Sequence, residues 1–229
     1  MLVEFVLERC RMLRILIADD HEVARRGIRA LLESHPGWEV CGEAKDGREA
    51  VDLVSKEKPD LILLDIGMPN LNGLEAARQI LATSPEAKIL VLTMHDTDQV
   101  VREVLRAGAR GFLLKSDAGR DLVAAVEALQ LERTFFTTKV SQMVLDGYLD
   151  GDGPQDGNGV VRDDVLTARE REVIQLLAEG KTSKEVAVTL NLSVKTAETH
   201  RTNLMRKLNL HSVADLTRYA VRNGIVQVF

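Results

Sequence analysis

Short apolar runs alternate with segments of helical periodicity along the first 131 residues of the chain. The runs are rich in Val, Ile and Leu and predict five strands, at Arg14–Ala18, Glu39–Ala44, Leu61–Asp65, Lys88–Thr93 and Gly111–Leu114. The segments that follow them have apolar residues at helical spacing and predict five helices, at Glu22–Ser34, Gly47–Lys58, Gly73–Thr83, Thr97–Ala107 and Ala118–Leu131. Several runs are apolar on both sides of the chain, as in strands covered on both faces. This alternation predicts an α/β doubly wound, five-stranded parallel sheet of the flavodoxin-like type.

The pattern changes between residues 134 and 163. Residues 137–148 predict one more helix, and the stretch from Asp150 to Gly159 is rich in Gly and Asp with almost no apolar side chain. Such a stretch buries too little surface to offset the entropy of ordering it, so we expect a flexible linker. The chain therefore divides into a first domain at 12–133, a helix and linker at 134–163, and a second domain at 164–229.

The second domain has helix start signals and almost no strand signals. The start signals are side chains that can cap a helix N-terminus, at Thr167, Thr182, Ser193 and Ser212. Glu170 and Glu185 stand three residues after the first two caps, which is the spacing of a capping box. Gly180 can end the first helix in the left-handed conformation. Four short helices with a tight turn between the second and third predict a small all-α helix-turn-helix domain.

Composition places the chain among ordinary globular proteins. It has 229 residues, of which 45% are apolar and 28% are charged. No apolar stretch approaches the roughly 18 residues of a membrane span, and Glu4, Glu8 and Arg9 interrupt the apolar N-terminus. Cys10 and Cys41 are too few for a disulfide framework or a cysteine-based zinc site. We therefore expect a soluble, cytoplasmic protein.

Charge is divided unevenly between the two parts of the chain. Residues 1–161 carry 19 Lys and Arg against 27 Asp and Glu, whereas residues 162–229 carry 11 against 8. An acidic first part and a basic second part suggest different partners for the two domains. One Trp, two Tyr and five Phe are too few for a surface that binds single-stranded nucleic acid by stacking.

Polar side chains stand where four of the predicted strands end. They are Asp19, Asp20, Asp65, Thr93 and Lys115. Because open parallel sheets bind ligands beyond these strand ends, we expect the five side chains to meet at one edge. Three carboxylates brought together repel one another, and hard oxygen ligands on a hydrated site favour Mg²⁺. An Asp there can act as a nucleophile that forms an aspartyl-phosphate, with Lys115 and Thr93 contacting the phosphoryl oxygens.

Taken singly, each of these residues has a common structural explanation, because strand-end Asp residues often cap helices and a Lys after a strand is usually a surface charge. Together they resemble the receiver domain of bacterial response regulators, over residues 12–133. The matching stretches are LIADDH (16–21), LLDIGMPNLNG (63–73), VLTM (91–94) and GFLLK (111–115). The resemblance implies that Asp65 is the phospho-acceptor and that Asp20 and the Gly67 carbonyl bind Mg²⁺ with it. Asp19 would then act through water.

The same resemblance assigns three further positions. Thr93 and Phe112 fall on the family's switch hydroxyl and switch aromatic, which a phosphoryl group on Asp65 would draw inward. Gly67 offers no side chain to shield that group from water, so we expect the Gly67 and His95 positions to tune how fast it is lost. Residues 1–11 precede the resemblance and look like an extension.

A second candidate surface lies on the predicted third helix of the second domain. At 100° per residue, Ala197, Leu204 and Leu208 share one face. The opposite face and its borders carry polar and basic side chains, at Lys195, Glu198, Thr199, Thr202 and Arg206. Such a helix suits the major groove of DNA, where Thr and Glu read base edges and Lys and Arg hold phosphates. A solvent-facing helix without a ligand has the same pattern, so the pattern alone leaves both interpretations open.

Residues 166–223 resemble the LuxR-type helix-turn-helix. The matching stretches are LTAREREVIQLLAEGKTSKEVA, LSVKTAETHR and RKLN. The family implies a helix-turn-helix at 183–202 whose base-facing residues are Glu198, Thr199 and Thr202. It implies backbone contacts from Lys184 and Lys207. The stripe of Val213, Leu216 and Ala220 resembles the family's dimerisation helix, although core packing explains it equally well.

The two resemblances together imply the NarL/FixJ class of two-component transcription regulators. The implied partners are a histidine kinase that phosphorylates Asp65, a double-stranded DNA operator, and a second copy of the chain in a homodimer. The chain would then not be an enzyme, apart from the receiver's own phosphorylation and dephosphorylation. An acidic receiver is also expected to lie against the basic reading helix until phosphorylation shifts the population.

Two other functions remain open. An aspartate-nucleophile phosphatase of the haloacid-dehalogenase type uses similar residues, but it needs its nucleophile on the first strand with a second Asp two residues later. Asp19 and Asp20 are adjacent, and the candidate nucleophile is on the third strand. The other alternative is a constitutive regulator whose receiver only mediates protein contacts, and the complete set of polar strand-end residues argues against it.

Overall fold

The computed structural model describes residues 12–94, 97–138, 140–142 and 166–226. The predicted linker at Asp150–Gly159, the extension at 1–11 and His95 lie outside the described residues. Of the helix predicted at 137–148, residues 138 and 140–142 are helical and 143–148 lie outside the described part.

A parallel sheet with the order β2-β1-β3-β4-β5-β6 forms the centre of the first domain. Its strands are β1 (Leu13–Ala18), β2 (Trp38–Ala44), β3 (Leu61–Asp65), β4 (Lys88–Thr93), β5 (Gly111–Leu114) and β6 (Phe135–Phe136). The strand order reverses between β1 and β3. The carboxyl ends of these strands therefore border the crevice in which open α/β sheets bind ligands.

The parallel α/β fold is confirmed, but the expectation of five strands is wrong because the sheet has six. The sixth strand pairs two residues, Phe135 and Phe136, with Gly111 and Phe112 of β5. Its side chains are only partly buried. A two-residue segment is too short to show an alternating pattern, so no local pattern predicts this strand.

Helices cover both faces of the sheet. They are α1 (Glu22–Glu33), α2 (Gly47–Glu57), α3 (Gly73–Thr83), α4 (Asp98–Arg106) and α5 (Ala118–Gln130). Asp46, Asn72 and Thr97 cap the first turns of α2, α3 and α4 by accepting backbone N–H groups. Alternate residues of each strand feed two separate apolar cores, one on each face. Burial on both faces explains why the central strands β3 and β4 read as continuous apolar runs.

The second domain consists of α6 (Ala168–Ala178), α7 (Ser183–Thr189), α8 (Val194–Lys207) and α9 (Val213–Arg222). Both predicted capping boxes form, at the starts of α6 and α7. Gly180, with φ +87°, ends the turn after α6 as expected. Leu216 and Ala220 of the predicted stripe are buried in the domain core, whereas Val213 is 47% exposed. Core packing therefore explains two of the three residues, and a dimer contact on this helix stays a prediction. Among the described residues, no helix is both long and apolar enough to span a bilayer.

The second domain packs on the first through α6 and the segment after α9. Helix α6 lies against α3 and against the loop of residues 66–72, which joins β3 to α3. Glu172 accepts hydrogen bonds from Arg48 and Gln79 of the first domain, and Glu75 accepts one from Arg171 of the second. Each domain thus supplies a carboxylate that accepts hydrogen bonds from the other domain across the interface.

Candidate functional site

Side chains that follow β1, β3 and β5 meet at the carboxyl end of the sheet. The Lys115 ammonium lies 2.7 Å from Asp65 Oδ2 and 2.8 Å from Asp19 Oδ2. Ligand atoms of Asp19, Asp20, His21 and Asp65 all lie within 4.8 Å of one another. The structure thus places the predicted carboxylates and the predicted ammonium in one cluster, which we call the acidic pocket.

Local structure fixes the members of this pocket. Asp65 is the last residue of β3 and is 3% exposed, because both flanking strands and the loop after it surround it. Asp19 is buried, and its Oδ1 accepts the His21 N–H at 2.8 Å, just before α1 begins. Lys115 follows β5 in a short 3₁₀ turn. The positions of Asp19 and Asp65 are therefore fixed by the buried ends of β1 and β3. The Lys115 ammonium reaches both carboxylates from the end of β5.

The electrostatics of the pocket couple Asp65 to Lys115. Burial raises the pKa of the Asp65 carboxyl, and the nearby Lys115 ammonium opposes this without cancelling it. Burial would lower the pKa of Lys115, but the carboxylates of Asp65 and Asp19 outweigh it and leave that pKa above its ordinary value. Lys115 therefore stays charged at neutral pH and compensates the buried carboxylates.

The donor set of the pocket fits a hard divalent cation. Asp19, Asp20 and Asp65 offer carboxylate oxygens, the ligands that Mg²⁺ prefers. One ammonium balances only part of their negative charge. The backbone N–H of Gly67 acts to lower the pKa of the Asp65 carboxyl, against the larger effect of burial. His21 is not among the site residues predicted from the sequence. Its Nδ1 lies 2.7 Å from Asp20 Oδ1. Its position directly after Asp20 in the sequence is the signal that could have placed it in the pocket.

Thr93 and Phe112 already lie inside the fold. Both are 0% exposed, Thr93 at the end of β4 and Phe112 in the core between the sheet and α3 and α4. The expectation that a phosphoryl group draws both residues inward stays a prediction. Phe112 is already buried in this structure because it is an apolar residue in the middle of a strand, where the core accommodates its ring.

Helix α8 presents its polar face to solvent. Ala197 and Leu204 are buried in the domain core, as the helical angles predict. The side chains on the opposite face are exposed, at Lys195, Glu198, Thr199, Thr202 and Arg206. Lys184 of α7 is exposed as well, whereas Lys207 pairs with Glu170 at 2.7 Å. We call the exposed side of α8 the reading face.

The expectation that the receiver lies against this reading face is wrong. The hydrogen bonds and ion pairs that the structure describes between the domains come from α6, the turn after it and Ile225, not from the reading face. Charge complementarity between an acidic domain and a basic helix does not specify which surfaces meet. The interface is formed by amide and charged side chains of α6. In the sequence these residues appear only as the polar face of a helix, and nothing in that pattern shows that the face is covered.

Comparison with known proteins agrees with both domains. The family "Response regulator receiver domain" matches residues 15–127, and "Bacterial regulatory proteins, luxR family" matches residues 164–220. The transcriptional regulatory protein LiaR of Bacillus subtilis is 38% identical over 215 residues, which cover 94% of this chain and 100% of LiaR. The oxygen regulatory protein NreC of Staphylococcus carnosus is 37% identical and covers 93% of this chain and 99% of its own length.

Solved structures give the same result. The RcsB response regulator of Salmonella typhimurium is 29% identical with a TM-score of 0.56, and the alignment covers 93% of this chain and 99% of RcsB. A LuxR-family two-component response regulator from Aurantimonas sp. SI85-9A1 is 34% identical with a TM-score of 0.57, and it covers 59% of this chain and 97% of its own. One further structure shows RcsB dimers bound to DNA.

The fold and the pocket define a two-domain signalling protein with a receiver and a DNA-binding module. The chain belongs to the response regulators that join a receiver domain to a LuxR-type helix-turn-helix. It is a DNA-binding transcription regulator of a two-component system.

Proposed function

We propose that Asp65 accepts a phosphoryl group from the phosphohistidine of a histidine kinase. A carboxylate oxygen of Asp65 attacks the phosphorus, a P–O bond forms, and the P–N bond of the donor breaks. The electron pair of the broken bond stays on the imidazole, which leaves. The burial of Asp65 supports this role, because a buried carboxylate of raised pKa is a stronger nucleophile than a solvated one.

The neighbouring residues stabilise the charge that this transfer brings into the pocket. Lys115 contacts Asp65 directly and can shift to a phosphoryl oxygen, while the Thr93 hydroxyl stands at the end of the adjacent strand β4. Asp19, Asp20, Asp65 and the Gly67 carbonyl would hold Mg²⁺. A bound Mg²⁺ neutralises phosphoryl charge in such sites. The receiver would thus promote its own phosphorylation and dephosphorylation without acting on other substrates.

The reading face of α8 is proposed to enter the major groove of an operator. Glu198, Thr199 and Thr202 would face bases, and Lys195 and Arg206 would hold phosphates, with Lys184 and Lys207 on the DNA backbone. The exposure of these side chains and the buried opposite face of α8 support this assignment. A homodimer would then bind two half-sites about one helical turn, or a multiple of it, apart. We propose that the chain acts in the cytoplasm, with domains at 12–133 and 164–229 joined by 134–163.

One observation carries the proposal: a buried Asp65 shares Lys115 with a second buried carboxylate at the crevice of the sheet. Incubation with acetyl phosphate and Mg²⁺, followed by mass spectrometry, should show one phosphoryl group on the peptide that contains Asp65. Omission of Mg²⁺ should abolish it. Steady turnover of a generic phosphate ester would instead favour a phosphatase, and an unmodified protein would favour a regulator whose receiver only mediates contacts.

Replacing Gly67 by Asn should lengthen the lifetime of the aspartyl-phosphate severalfold, because a side chain would shield the phosphorus from water. The backbone of Gly67 lies outside the left-handed region, so Asn introduces no backbone strain there. The measurement is the decay of phosphorylated protein after removal of the phosphate donor. An unaltered half-life would show that this position does not control water access.

Replacing Lys195 by Ala should weaken binding to all DNA sequences about equally and reduce the slope of log K against log salt by about one. Replacing Glu198 by Ala should instead cost about 1–3 kcal/mol on the operator and relax the preference at one base position. Titrations of operator and unrelated DNA at several salt concentrations separate the two effects. Lys56→Ala, at an exposed site on α2, is the charge-matched control. Equal effects of the Lys195 and Lys56 changes would contradict the assignment of the reading face.

A further inference from the structure

An arginine of α1 reaches back to the turn that carries the first two carboxylates of the acidic pocket. Arg25 Nη1 donates to the backbone carbonyl of Asp19 at 2.6 Å, and its Nε donates to Glu43 Oε2 on β2 at 2.9 Å. The side chain of Arg25 is 16% exposed, so the guanidinium is largely covered. One planar group thus connects the turn after β1 to the neighbouring strand β2.

The position of Arg25 in the sequence explains this reach. Arg25 lies in the first turn of α1, where its backbone N–H donates to the His21 carbonyl at 3.0 Å. Side chains of a helix point toward its N-terminus, so a residue in the first turn covers the segment that precedes the helix. A guanidinium has five N–H donors in fixed directions, and it can therefore hold a backbone carbonyl and a carboxylate at the same time.

The contact fixes the peptide group between the two carboxylates. The carbonyl of Asp19 and the N–H of Asp20 belong to one rigid plane, so holding that oxygen sets the direction in which the chain continues to Asp20. The preceding peptide group is held by β2, because the Asp19 N–H donates to the Ala44 carbonyl at 3.0 Å. The Asp19 side chain accepts the His21 N–H at 2.8 Å. The backbone orientation at Asp20 therefore depends on Arg25.

Glu43 holds the guanidinium of Arg25 in place. Burial raises the pKa of the Glu43 carboxyl, but Arg29 and Arg25 together lower it by more, so this carboxylate stays charged at neutral pH. Arg29 shares Glu43 through the other carboxylate oxygen. The hydrogen bonds that the structure describes for the Arg29 side chain go to Glu43 and Glu33, and not to Asp19. The two arginines therefore have a carboxylate in common and differ in the contact with the pocket.

We propose that Arg25 is a positioning residue for the metal-binding carboxylates: it holds the Asp19–Asp20 peptide group so that Asp20 stays within reach of Asp65. This inference rests on the Mg²⁺ site proposed above and adds a residue that lies outside it. Removal of the guanidinium has two effects of opposite sign. Loss of a positive charge beside three carboxylates would by itself tighten cation binding, whereas loss of the orientation of Asp20 weakens it.

The test is the affinity of the full-length protein for Mg²⁺ alone, measured by calorimetry without a phosphate donor. Arg25→Met keeps an apolar stem but removes every donor, and it should weaken Mg²⁺ binding about tenfold, the lower end of the usual cost of losing a group that orients metal ligands. Arg29→Met is the matched control, because it removes the same charge from Glu43 without touching Asp19. It should bind Mg²⁺ at least as tightly as wild type.

A second variant separates geometry from charge. Arg25→Lys keeps the positive charge, but a single ammonium does not reproduce the fork that spans Asp19 and Glu43. It should fold like wild type and still bind Mg²⁺ several times less tightly, because only the orientation of the peptide group has changed. Wild-type affinity in both Arg25 variants would show that the guanidinium does not position the carboxylates.

Stability and hydrogen exchange distinguish positioning from a general loosening of the domain. Arg25→Met and Arg29→Met each lose an ion pair with Glu43, so their urea midpoints should fall by similar amounts. Only Arg25→Met should speed exchange of the His21 amide in metal-free protein, because the turn that carries its acceptor is released. An equal loss of Mg²⁺ affinity in Arg25→Met and Arg29→Met would overturn the positioning role. Failure of the wild-type protein to bind Mg²⁺ would contradict the proposed metal site, and the positioning role with it.

Discussion

Replacing Asp65 by Ala should abolish phosphorylation by acetyl phosphate and remove the phosphate-dependent part of operator binding. The substitution deletes the nucleophile and one of the three carboxylates of the pocket, while Lys115 keeps Asp19 as a partner at 2.8 Å. No charged group is left buried and unpaired by this change, so the domain should still fold. The measurements are the phosphorylated fraction by mass spectrometry and the operator affinity with and without acetyl phosphate.

The control for this prediction is Asp52→Ala, which removes an exposed carboxylate from α2. It should leave phosphorylation and DNA binding at the wild-type level. If the Asp65 variant instead bound the operator as tightly as phosphorylated wild type, phosphorylation of Asp65 would not be the switch. If it still gained a phosphoryl group, the acceptor would be a different residue.

The sheet and its helices could be predicted from the sequence because their signal is local. Central strands such as β3 and β4 have enough consecutive apolar residues to show that both of their faces are covered. Helix ends such as Thr167 and Thr182 have their capping partners three residues away. The sixth strand was missed because Phe135 and Phe136 form it only through their pairing with β5, a contact that no local pattern encodes.

The acidic pocket could be predicted from the sequence for a related reason. The topology of a parallel sheet carries all strand ends to one edge, so the position of a residue just after a strand is enough to place Asp19, Asp65 and Lys115 together. No comparable rule predicts from the sequence how the second domain docks on the first. Glu172 and Gln175 read as ordinary polar residues of a helix, and only the arrangement of two complete domains shows that they are buried.

The same limit applies to the switch residues. A sequence identifies the positions of Thr93 and Phe112 but not which of two packing arrangements the core adopts, because both arrangements use the same residues. In this structure both side chains are fully buried while the second domain is docked. Movement of these two residues upon phosphorylation of Asp65 therefore stays a prediction.

Replacing Gly73 by Ala should destabilise the first domain by about 3 kcal/mol and impair phosphorylation as well. A methyl group on Gly73 would come within 2.8 Å of the Asp65 carbonyl carbon and closer still to its oxygen, so backbone must shift. Gly73 begins α3, and its N–H donates to the Ile66 carbonyl at 3.0 Å. The close approach of this helix to the end of β3 is thus what closes loop 66–72 around the acceptor.

Gly119→Ala is the matched control, because a methyl group there meets nothing within 4 Å in the first turn of α5. It should stabilise the domain by about 0.5–1 kcal/mol, the usual gain for Ala over Gly in a helix. Trp38 is the only tryptophan and is 5% exposed in the first domain, so its fluorescence during urea unfolding reports on this domain alone. Equal unfolding midpoints for the two variants would show that α3 can move away from β3 at little cost. Loop 66–72 would then be too loosely held to position the pocket.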